Sequence, residues 1–384
     1  MKITQLKTTE ERIEYLQDVV KAFSENARQH DEAGSFPVEN IQVLKEIDYP
    51  ALPVPKKFGG LGMSLEEMVR MQAIIAEADG STGLSIGWHI GITMHNGETL
   101  KWGEEAYAKI AKDIVEKGAL LNNIASERAT GSPTRGGKPE TFVKKTSDGW
   151  IMNGRKTFAT MSPVLDFFIV SASIDGTEDV ANFIVRRELE GISIDETWDS
   201  VAMAATGSHD LVLEDVVLEE DDLLEYLRPG KKDPQGWLLH IPACYLGIAR
   251  AAQKYAVDFA ASYSPTSIKG TIADIPAVQQ RLGEMELKMI ESEALLYSAA
   301  KEWDKRDKEE RTKMQSLLGA TKLSVVNKAN EIVDLAMRVV GARSLSASCP
   351  LQRYYRDVRA GLHNPPMDDM TITNLAKDSI SRLS

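Results

Sequence analysis

The first part of the chain carries apolar positions at helical spacing. In residues 8–29 the apolar side chains recur with the period of an α-helix, and Thr8 or Thr9 stands before them as a cap. These positions are Ile13, Leu16, Val20, Phe23 and Ala27. The segments "PVENIQVLKEI" and "SLEEMVRMQAIIAEA" continue the pattern, and Ser64 and Glu67 have capping-box spacing. The pattern predicts helices over the first ~115 residues.

The pattern then changes to short β-prone runs separated by turn signals. The segment "TFVKKTSDGWIMNGRKTFATM" contains Asp148-Gly149 and Asn153-Gly154, two dipeptides typical of hairpin turns. Further strands are predicted in "DFFIVSAS", "NFIVRR" and "DLVLEDVVL". This part of the chain is therefore predicted to be a small antiparallel sheet domain.

Helical periodicity returns in the last third of the chain. Two long amphipathic helices are predicted in "PAVQQRLGEMELKMIESEALLYSAAKEW" and "KMQSLLGATKLSVVNKANEIVDLAMRVVG", joined by the charged turn "DKRDKEERT". Two such helices indicate a bundle. We predict an α+β fold with an N-terminal helical domain at residues 1–119, a middle antiparallel β domain at 120–225 and a C-terminal helical bundle domain at 226–384.

Composition narrows the class of function. The 384 residues are 43% hydrophobic and carry 45 Lys plus Arg against 57 Asp plus Glu, a net charge of -12 that disfavours nucleic acid and anionic membrane surfaces as partners. Two cysteines are too few for a disulfide framework, and the N-terminus has no apolar signal region, so we expect a cytoplasmic protein. The "FGGLG" run lacks the strand and spacing of a dinucleotide fingerprint, and no metal-ligand motif is present. These patterns alone leave the function open.

Four stretches, in order along the chain, resemble the acyl-CoA dehydrogenase family. They are "PVPKKFGGLGMSLEEMVRMQAIIAEADGSTGLSIGWH", "DGWIMNGRKTFATM", "ATGSHDLVLEDVVL" and "YYRDVRAG". The resemblance implies an N-terminal helical domain, a middle β domain and a C-terminal four-helix bundle. It also implies a flavin between the last two domains and a homotetramer.

The resemblance assigns flavin-binding positions. Ser132, Phe158, Thr160 and the backbone around Ser126 match places that line the isoalloxazine ring in this family. The segment "RVVGARS", with Gly341 and Arg343 as further cofactor-binding candidates, replaces the family's "Q-x-F-G-G-x-G" turn. The arginine that meets the FAD pyrophosphate is lost in "SPTSIKG", so FAD and FMN both stay open.

The residue that the family's dehydrogenases need most is missing. These enzymes use a glutamate to remove a weakly acidic Cα proton, a step that requires a positioned proton acceptor. Counting from Arg356 places Pro365 at the usual glutamate position, and Trp237 lies at the alternative position on an earlier helix. The arginine that often follows is Leu238. A standard dehydrogenase site is therefore not expected.

Other motifs resemble the flavin monooxygenase branch of this fold, which includes dibenzothiophene and sulfone monooxygenases. The "R-(N/D)-x-R, then H-x-P" ending of that branch is matched by Arg356, Arg359, His363 and Pro365, and its flavin strand by "NIASE". The predicted catalytic set is His89, His363, Asn123 and Thr160. Oxygen activation by reduced flavin needs a dry pocket and neutral or cationic donors, which these residue types supply.

The sequence is compatible with three functions. The favoured one is a two-component flavin monooxygenase that acts on a small organosulfur-type or other compact substrate, with reduced FMN or FAD supplied by a separate reductase. The second is an acyl-CoA dehydrogenase with a non-standard base, for which Asp368 and Asp369 are the nearest candidates. The third is an inactive flavin-fold binding protein. Taken alone, His89 and His363 also fit ordinary core and loop histidines.

Overall fold

The computed structural model describes residues 1–130, 137–228 and 234–382. Its N-terminal part is helical, as predicted. Thr8 and Glu11 form a capping box at the first helix, and the Ser64 hydroxyl accepts the Glu67 N–H at the fourth. The helices are α1 (Thr9–Val20), α2 (Phe23–Ala33), α3 (Val38–Glu46), α4 (Leu65–Ala78), α5 (Gly80–Thr99) and α6 (Glu104–Lys117).

The single helix predicted for residues 8–29 is two helices. The chain turns between α1 and α2, and the Ser24 hydroxyl donates to the Lys21 carbonyl that the break releases. A serine side chain that bonds a nearby carbonyl offers the backbone an alternative to the helical ladder. Apolar spacing continues across this turn, so periodicity alone does not reveal it.

The middle part is a mixed sheet. Its strands are β1 (Leu121–Ile124), β2 (Phe142–Lys145), β3 (Gly149–Ala159), β4 (Phe167–Ile174), β5 (Val180–Arg186), β6 (Ile192–Asp195), β7 (His209–Glu219) and β8 (Leu223–Tyr226). They lie in the order β6-β7-β3-β2-β4-β5-β8, with β1 beside β4. Both β1 and β2 run parallel to β4, so the sheet is not purely antiparallel as predicted.

One of the two predicted hairpin turns is present. The chain turns before Gly149 between β2 and β3, but Asn153-Gly154 lies inside β3 at a register shift. A Cβ on Gly154 would come within 2.5 Å of the Thr141 hydroxyl, so close packing requires glycine there. The Asn153 side chain bonds Asp215 on β7. The prediction of a second turn was wrong because this glycine serves a bulge.

A buried ion pair ties the end of β1 to β3. The Lys156 ammonium lies 2.7 Å from the Glu127 carboxylate, and both side chains are almost fully buried. The same carboxylate accepts the backbone N–H groups of Glu140 and Thr141. These bonds hold the pKa of Glu127 at about 2, although its burial acts in the opposite direction. The pair fixes the segment that carries Ser126.

The C-terminal part contains the predicted bundle. Its helices are α7 (His240–Ser262), α8 (Pro276–Lys305), α9 (Lys308–Arg311), α10 (Gln315–Val340), α11 (Pro350–Ala360) and α12 (Asp368–Ser381). Helices α7, α8 and α10 pack together, and α11 joins α7 and α10. Helices α4 and α5 pack on α7, so the N-terminal helices and the bundle share one core. The α+β fold class is therefore confirmed.

Hydropathy along the helices is moderate. Across the three described ranges, no helix combines the length and apolar character that a membrane crossing requires.

Candidate functional site

Left-handed backbone is concentrated where β3 ends and where the chain enters β7. Phe158, Met161 and Met203 have φ values of 55°, 68° and 53°, which are uncommon for residues with a side chain. The Met161 N–H donates to the Thr206 carbonyl at 2.9 Å, so the two segments support each other. Strain of this kind is often found at functional sites.

A line of hydroxyl groups runs between these segments. The Thr160 hydroxyl lies 2.9 Å from the Ser208 hydroxyl, which lies 2.8 Å from that of Thr206. Thr206 donates to the Met203 carbonyl at 2.9 Å. All three hydroxyl-bearing residues are buried. The predicted residue Thr160 is therefore part of a bonded chain of hydroxyls.

An aromatic pair lies beside this chain. Phe158 is 62% exposed, and the Trp198 ring meets it edge-on at 5.6 Å between centroids. The Trp198 indole N–H donates to the Met203 carbonyl at 3.1 Å, which fixes the ring. Trp198 was not predicted from the sequence. A tryptophan between polar residues in "DETWDS", just before the site segment, was the available signal.

The end of β1 joins the same region. The Ser126 carbonyl accepts the Thr157 N–H at 2.9 Å, which places "NIASE" next to the end of β3. Asn123 is exposed, whereas its buried neighbour Asn122 donates to the Thr160 carbonyl at 3.0 Å. Asn123, Ser126, Phe158 and Thr160 are therefore gathered by β1 and β3. The predicted residue Ser132 lies outside the described residues.

Gly341 and Arg343 lie elsewhere. Gly341 begins a short 3-10 turn after α10, with φ of 70°, and the Arg343 guanidinium stacks on the Tyr263 ring at 4.3 Å. Tyr263 follows the last residue of α7, about 34 Å along the helix from His240 at ~1.5 Å per residue. Within one chain, Arg343 therefore lies beside the C-terminal end of α7, far from His240 in the first turn of that helix.

His89 connects α5 to its neighbours. It is fully buried, its Nε2 lies 3.1 Å from the Pro50 carbonyl, and its Nδ1 accepts the Leu121 N–H at 3.1 Å. Burial lowers its pKa to about 4, so the ring is neutral and has one N–H, which Pro50 accepts. No N–H remains for a ligand. The geometry therefore corrects the predicted donor role to a structural one.

His363 is exposed at the end of the turn that follows α11. The adjacent Asn364 side chain accepts the Tyr245 hydroxyl at 2.5 Å, which fixes this turn against α7. His363 and His89 therefore do not share one environment: one is open to solvent, and the other is sealed between α5 and β1.

The alternative base position lies in an aromatic cluster formed by Trp88, His95, Trp237 and His240. Trp237 and His240 are parallel with ring centroids 5.8 Å apart, and Trp88 is edge-on to them at 6.0 and 4.7 Å. The His95 ring lies 6.2 Å from Trp237. Burial lowers the pKa of His240 to about 3. The cluster contains no acidic side chain.

The other candidate bases are engaged or exposed. One Asp368 oxygen lies 3.3 Å from the ammonium of Lys322, whose side chain is only 2% exposed, and the other accepts from Asn327 at 2.9 Å. Asp369 is exposed at the first turn of α12. Asp368 thus anchors α12 to α10.

Helix α11 clamps the strained segment. The buried Asp357 carboxylate accepts the Met203 N–H at 2.6 Å, and burial raises its pKa to about 7. The neighbouring Arg356 binds both carboxylate oxygens of Asp31 and the Val201 carbonyl. The arginine of the C-terminal motif therefore positions the backbone of the site.

Comparison with known proteins identifies the family. The N-terminal, middle and C-terminal domains of acyl-CoA dehydrogenase match residues 9–110, 123–216 and 239–364. YdbM of Bacillus subtilis, provisionally named an acyl-CoA dehydrogenase, is 49% identical over 94% of both chains. The chain belongs to the acyl-CoA dehydrogenase family.

Proteins named for other reactions are also similar to this chain. L-evernosamine nitrososynthase from a Micromonospora strain is 29% identical over 91% of this chain and 85% of its own. The solved structure of KijD3 with dTDP has a TM-score of 0.86 at 24% identity and 98% coverage of both chains. TdsC from Paenibacillus sp. A11-2 with FMN and indole has a TM-score of 0.84 at 22% identity and 96% coverage of both.

Acyl-CoA dehydrogenase family members are flavin-dependent oxidoreductases, and so is this protein. The site residues fit a flavin. Phe158 presents an exposed ring on a fixed backbone, and Trp198 stands at its edge, an arrangement that suits a flat cofactor ring. Backbone near Ser126 and the Thr160 hydroxyl provide polar atoms beside that ring. These residues would hold the flavin.

Proposed function

We propose that this protein is a two-component flavin monooxygenase that acts on a small organosulfur or other compact, uncharged substrate. The observation that carries the proposal is the aromatic cluster at the alternative base position. The indole N–H of Trp237 can only donate a hydrogen bond. Its neighbour His240, with a pKa of about 3, is a poor acceptor for a weakly acidic Cα proton.

The usual base position supports the same conclusion. Pro365 carries no proton acceptor, and Asp368 is already paired with Lys322 and Asn327. Moving Asp368 into a substrate site would leave the Lys322 ammonium buried without its partner, which is costly. An acyl-CoA dehydrogenase using this carboxylate is therefore the weaker alternative.

Oxygenation makes different demands on the chain. Reduced flavin supplies two electrons; one oxygen atom of O₂ enters the substrate and the other leaves as water. The chain must exclude bulk water and offer hydrogen-bond donors at the reacting edge. We propose that Asn123, Thr160 and the exposed His363 provide these donors. His89 instead links α5 to β1 through its hydrogen bond with the Leu121 N–H.

We propose FMN as the flavin. The Arg343 guanidinium stacks on Tyr263, far along α7 from the first turn, and the family's FAD-binding arginine is missing. TdsC and KijD3 were crystallised with FMN. The sequence excludes a nicotinamide fingerprint, so the reduced flavin comes from a separate reductase.

Structural neighbours guide the proposed substrate class. TdsC is a dibenzothiophene monooxygenase, and MsuC of Pseudomonas fluorescens is a methanesulfinate monooxygenase. We propose that this chain oxidises a compact substrate of similar kind.

We also propose a homotetramer. Large apolar side chains are exposed on α8 and α12: Leu287, Ile290, Ile372 and Ile380. Light scattering at micromolar concentration should give four times 42.4 kDa, and a monomer alone would contradict this proposal.

One set of experiments on the purified protein tests the proposed function. Flavin released by denaturation is identified by chromatography, and the flavin-loaded protein is reduced without oxygen and then mixed with oxygen. If the protein is the proposed monooxygenase, the released flavin should be FMN, and an oxygen atom should be incorporated into the substrate when substrate is present. A stoichiometric CoA thioester would favour the dehydrogenase. Failure both to bind flavin and to consume oxygen with reduced flavin would indicate a binding protein.

A further inference from the structure

We propose that the aromatic cluster binds an uncharged, flat ring compound whose heteroatom accepts a hydrogen bond from the Trp237 indole N–H or from the His240 imidazole N–H. This inference rests on the proposed function and names the substrate class for it. In this proposal the cluster positions the substrate ring. Trp237 of the cluster lies where some dehydrogenases of the family have their catalytic base.

The first observation is a group of buried polar atoms without partners. Within residues 1–130, 137–228 and 234–382, neither ring nitrogen of His240 nor the indole nitrogen of Trp237 has a hydrogen-bond partner. His240 is fully buried and Trp237 is 8% exposed. Buried polar groups are almost always satisfied, and an unsatisfied one costs stability. His240 Nδ1 packs against α5 at Gly87, so the Trp237 indole nitrogen and His240 Nε2 are the two atoms that point to a partner from outside the chain.

The second observation is that two glycines of α5 allow the Trp237 and His240 rings to pack closely on the helix. Gly87 and Gly91 lie four residues apart and therefore face the same side of the helix. A Cβ on Gly87 would come within 2.6 Å of His240 Nδ1, and one on Gly91 within 2.5 Å of the Trp237 ring. The two rings press directly on the helix backbone, which fixes their planes.

The cluster reaches the surface on one side. Trp88 and His95 are only partly buried, and they lie about two turns apart on α5, beside the buried pair. A ligand entering past Trp88 would meet flat side chains before it meets the unpartnered nitrogens of His240. Stacked and edge-on aromatic contacts favour a planar ligand.

The charges of the cluster select an uncharged ligand. Burial holds the pKa of His240 at about 3, so its ring is neutral at ordinary pH, with one N–H and one acceptor nitrogen. Trp237 adds a second N–H donor. A charged ligand would be buried here without a counter-ion, which is strongly unfavourable. A neutral ring whose heteroatom accepts a hydrogen bond satisfies one of these two N–H donors without burying a charge.

Paired probes of one shape test the inference. Quinoline and naphthalene have the same fused rings, but quinoline has an acceptor nitrogen. Binding to the oxidised, flavin-loaded protein is measured by calorimetry at pH 8, without reductant. Quinoline should bind about fivefold to tenfold more tightly, the gain expected from one net hydrogen bond. This comparison uses the wild-type protein and does not depend on the folding of a variant.

Variants then locate the probe. At least one of Trp237→Phe and His240→Phe should abolish the quinoline preference, because the quinoline nitrogen accepts one hydrogen bond and each variant removes one of the two N–H donors but keeps an aromatic ring. Trp150→Phe is the matched control: Trp150 is another buried tryptophan with an unpartnered indole nitrogen, but it packs on Phe183 in the sheet. The preference should survive in this control.

Three results of the binding assay would overturn the inference. They are equal affinity for both probes, no binding of either probe, and loss of the preference in Trp150→Phe as well. A crystal structure with only ordered water on His240 after a quinoline soak would also overturn it. The binding assay involves no oxygen chemistry, so it separates the two claims. A quinoline preference without oxygenation contradicts the proposed function alone, and oxygenation without the preference contradicts this inference alone.

Discussion

Replacing His240 with phenylalanine should make the stability of the protein much less sensitive to acid. Burial lowers the pKa of this imidazole from 6.5 to about 3, so the folded protein resists protonation where the unfolded chain accepts it. The resulting stability is fully present above pH 6.5 and is lost as the pH falls towards 3. His240→Phe removes this dependence because phenylalanine does not titrate.

The pKa values give the size of the effect. Between pH 7 and 5, linkage predicts a loss of about 2 kcal/mol from His240, and a similar loss from His89, whose pKa is about 4. Asp357 acts in the opposite direction. Its pKa is raised from 3.8 to about 7, so it contributes stability at low pH that is lost as the pH rises through 7. Acidification to pH 5 returns about 2 kcal/mol from Asp357. From these three groups together the wild type should therefore lose about 2 kcal/mol, and His240→Phe almost none.

Urea unfolding followed by far-ultraviolet circular dichroism at pH 5, 6, 7 and 8 measures this difference. A constant offset between the variant and the wild type reports packing alone, so the pH dependence of the offset is the relevant quantity. The exposed His363, changed to phenylalanine, is the control for adding this side chain. An offset for His240→Phe that is equal at pH 5 and pH 8 would refute the reasoning.

Three further predictions concern the site and its support. Glu127→Gln should destabilise the protein by roughly 3 kcal/mol, because it leaves the buried Lys156 ammonium without its charged partner; thermal unfolding measures this, and an unchanged midpoint would contradict it. Asp368→Asn combined with Asp369→Asn should leave flavin oxidation intact in an oxygen electrode. A fall of about 10²-fold with normal flavin binding would instead indicate a general base. His363→Phe should lower product formation by about two orders of magnitude while hydrogen peroxide escapes, since one donor is lost. Wild-type coupling would remove His363 from the site.

Local patterns predicted the architecture well. The capping interaction of Ser64 and the change from helical to strand periodicity are set by neighbouring residues, so they are visible in the chain. The prediction of a turn at Asn153-Gly154 was wrong because Gly154 is needed for close contact with Thr141, a residue distant in sequence. Sequence spacing cannot distinguish a glycine needed for a turn from one needed for packing.

The candidate site was predicted only in part for the same reason. The predicted residues on β1 and β3 could be proposed from the sequence because a local motif carries them. The aromatic cluster joins α5 to the start of α7, about 150 residues later, and no local pattern records that contact. The glycines of "GWHIG" were the one available signal, because two small residues four apart permit close packing on a helix. The sequence analysis assigned a catalytic role to His89 in this segment, but the neighbouring residue Trp88 is the one that contacts the cluster.

The strained backbone of the site depends on the bundle. Met203 holds a left-handed conformation that an isolated chain would rarely adopt, and its N–H is held by Asp357 of α11 while its carbonyl accepts from Trp198 and Thr206. The same helix leads into the turn that carries His363. A movement of α11 would therefore release the Trp198 ring and displace His363 together. Arg356 and Asp357 lie outside the site, but their bonds to the Val201 carbonyl and the Met203 N–H tie the left-handed segment to the helix that leads into the His363 turn.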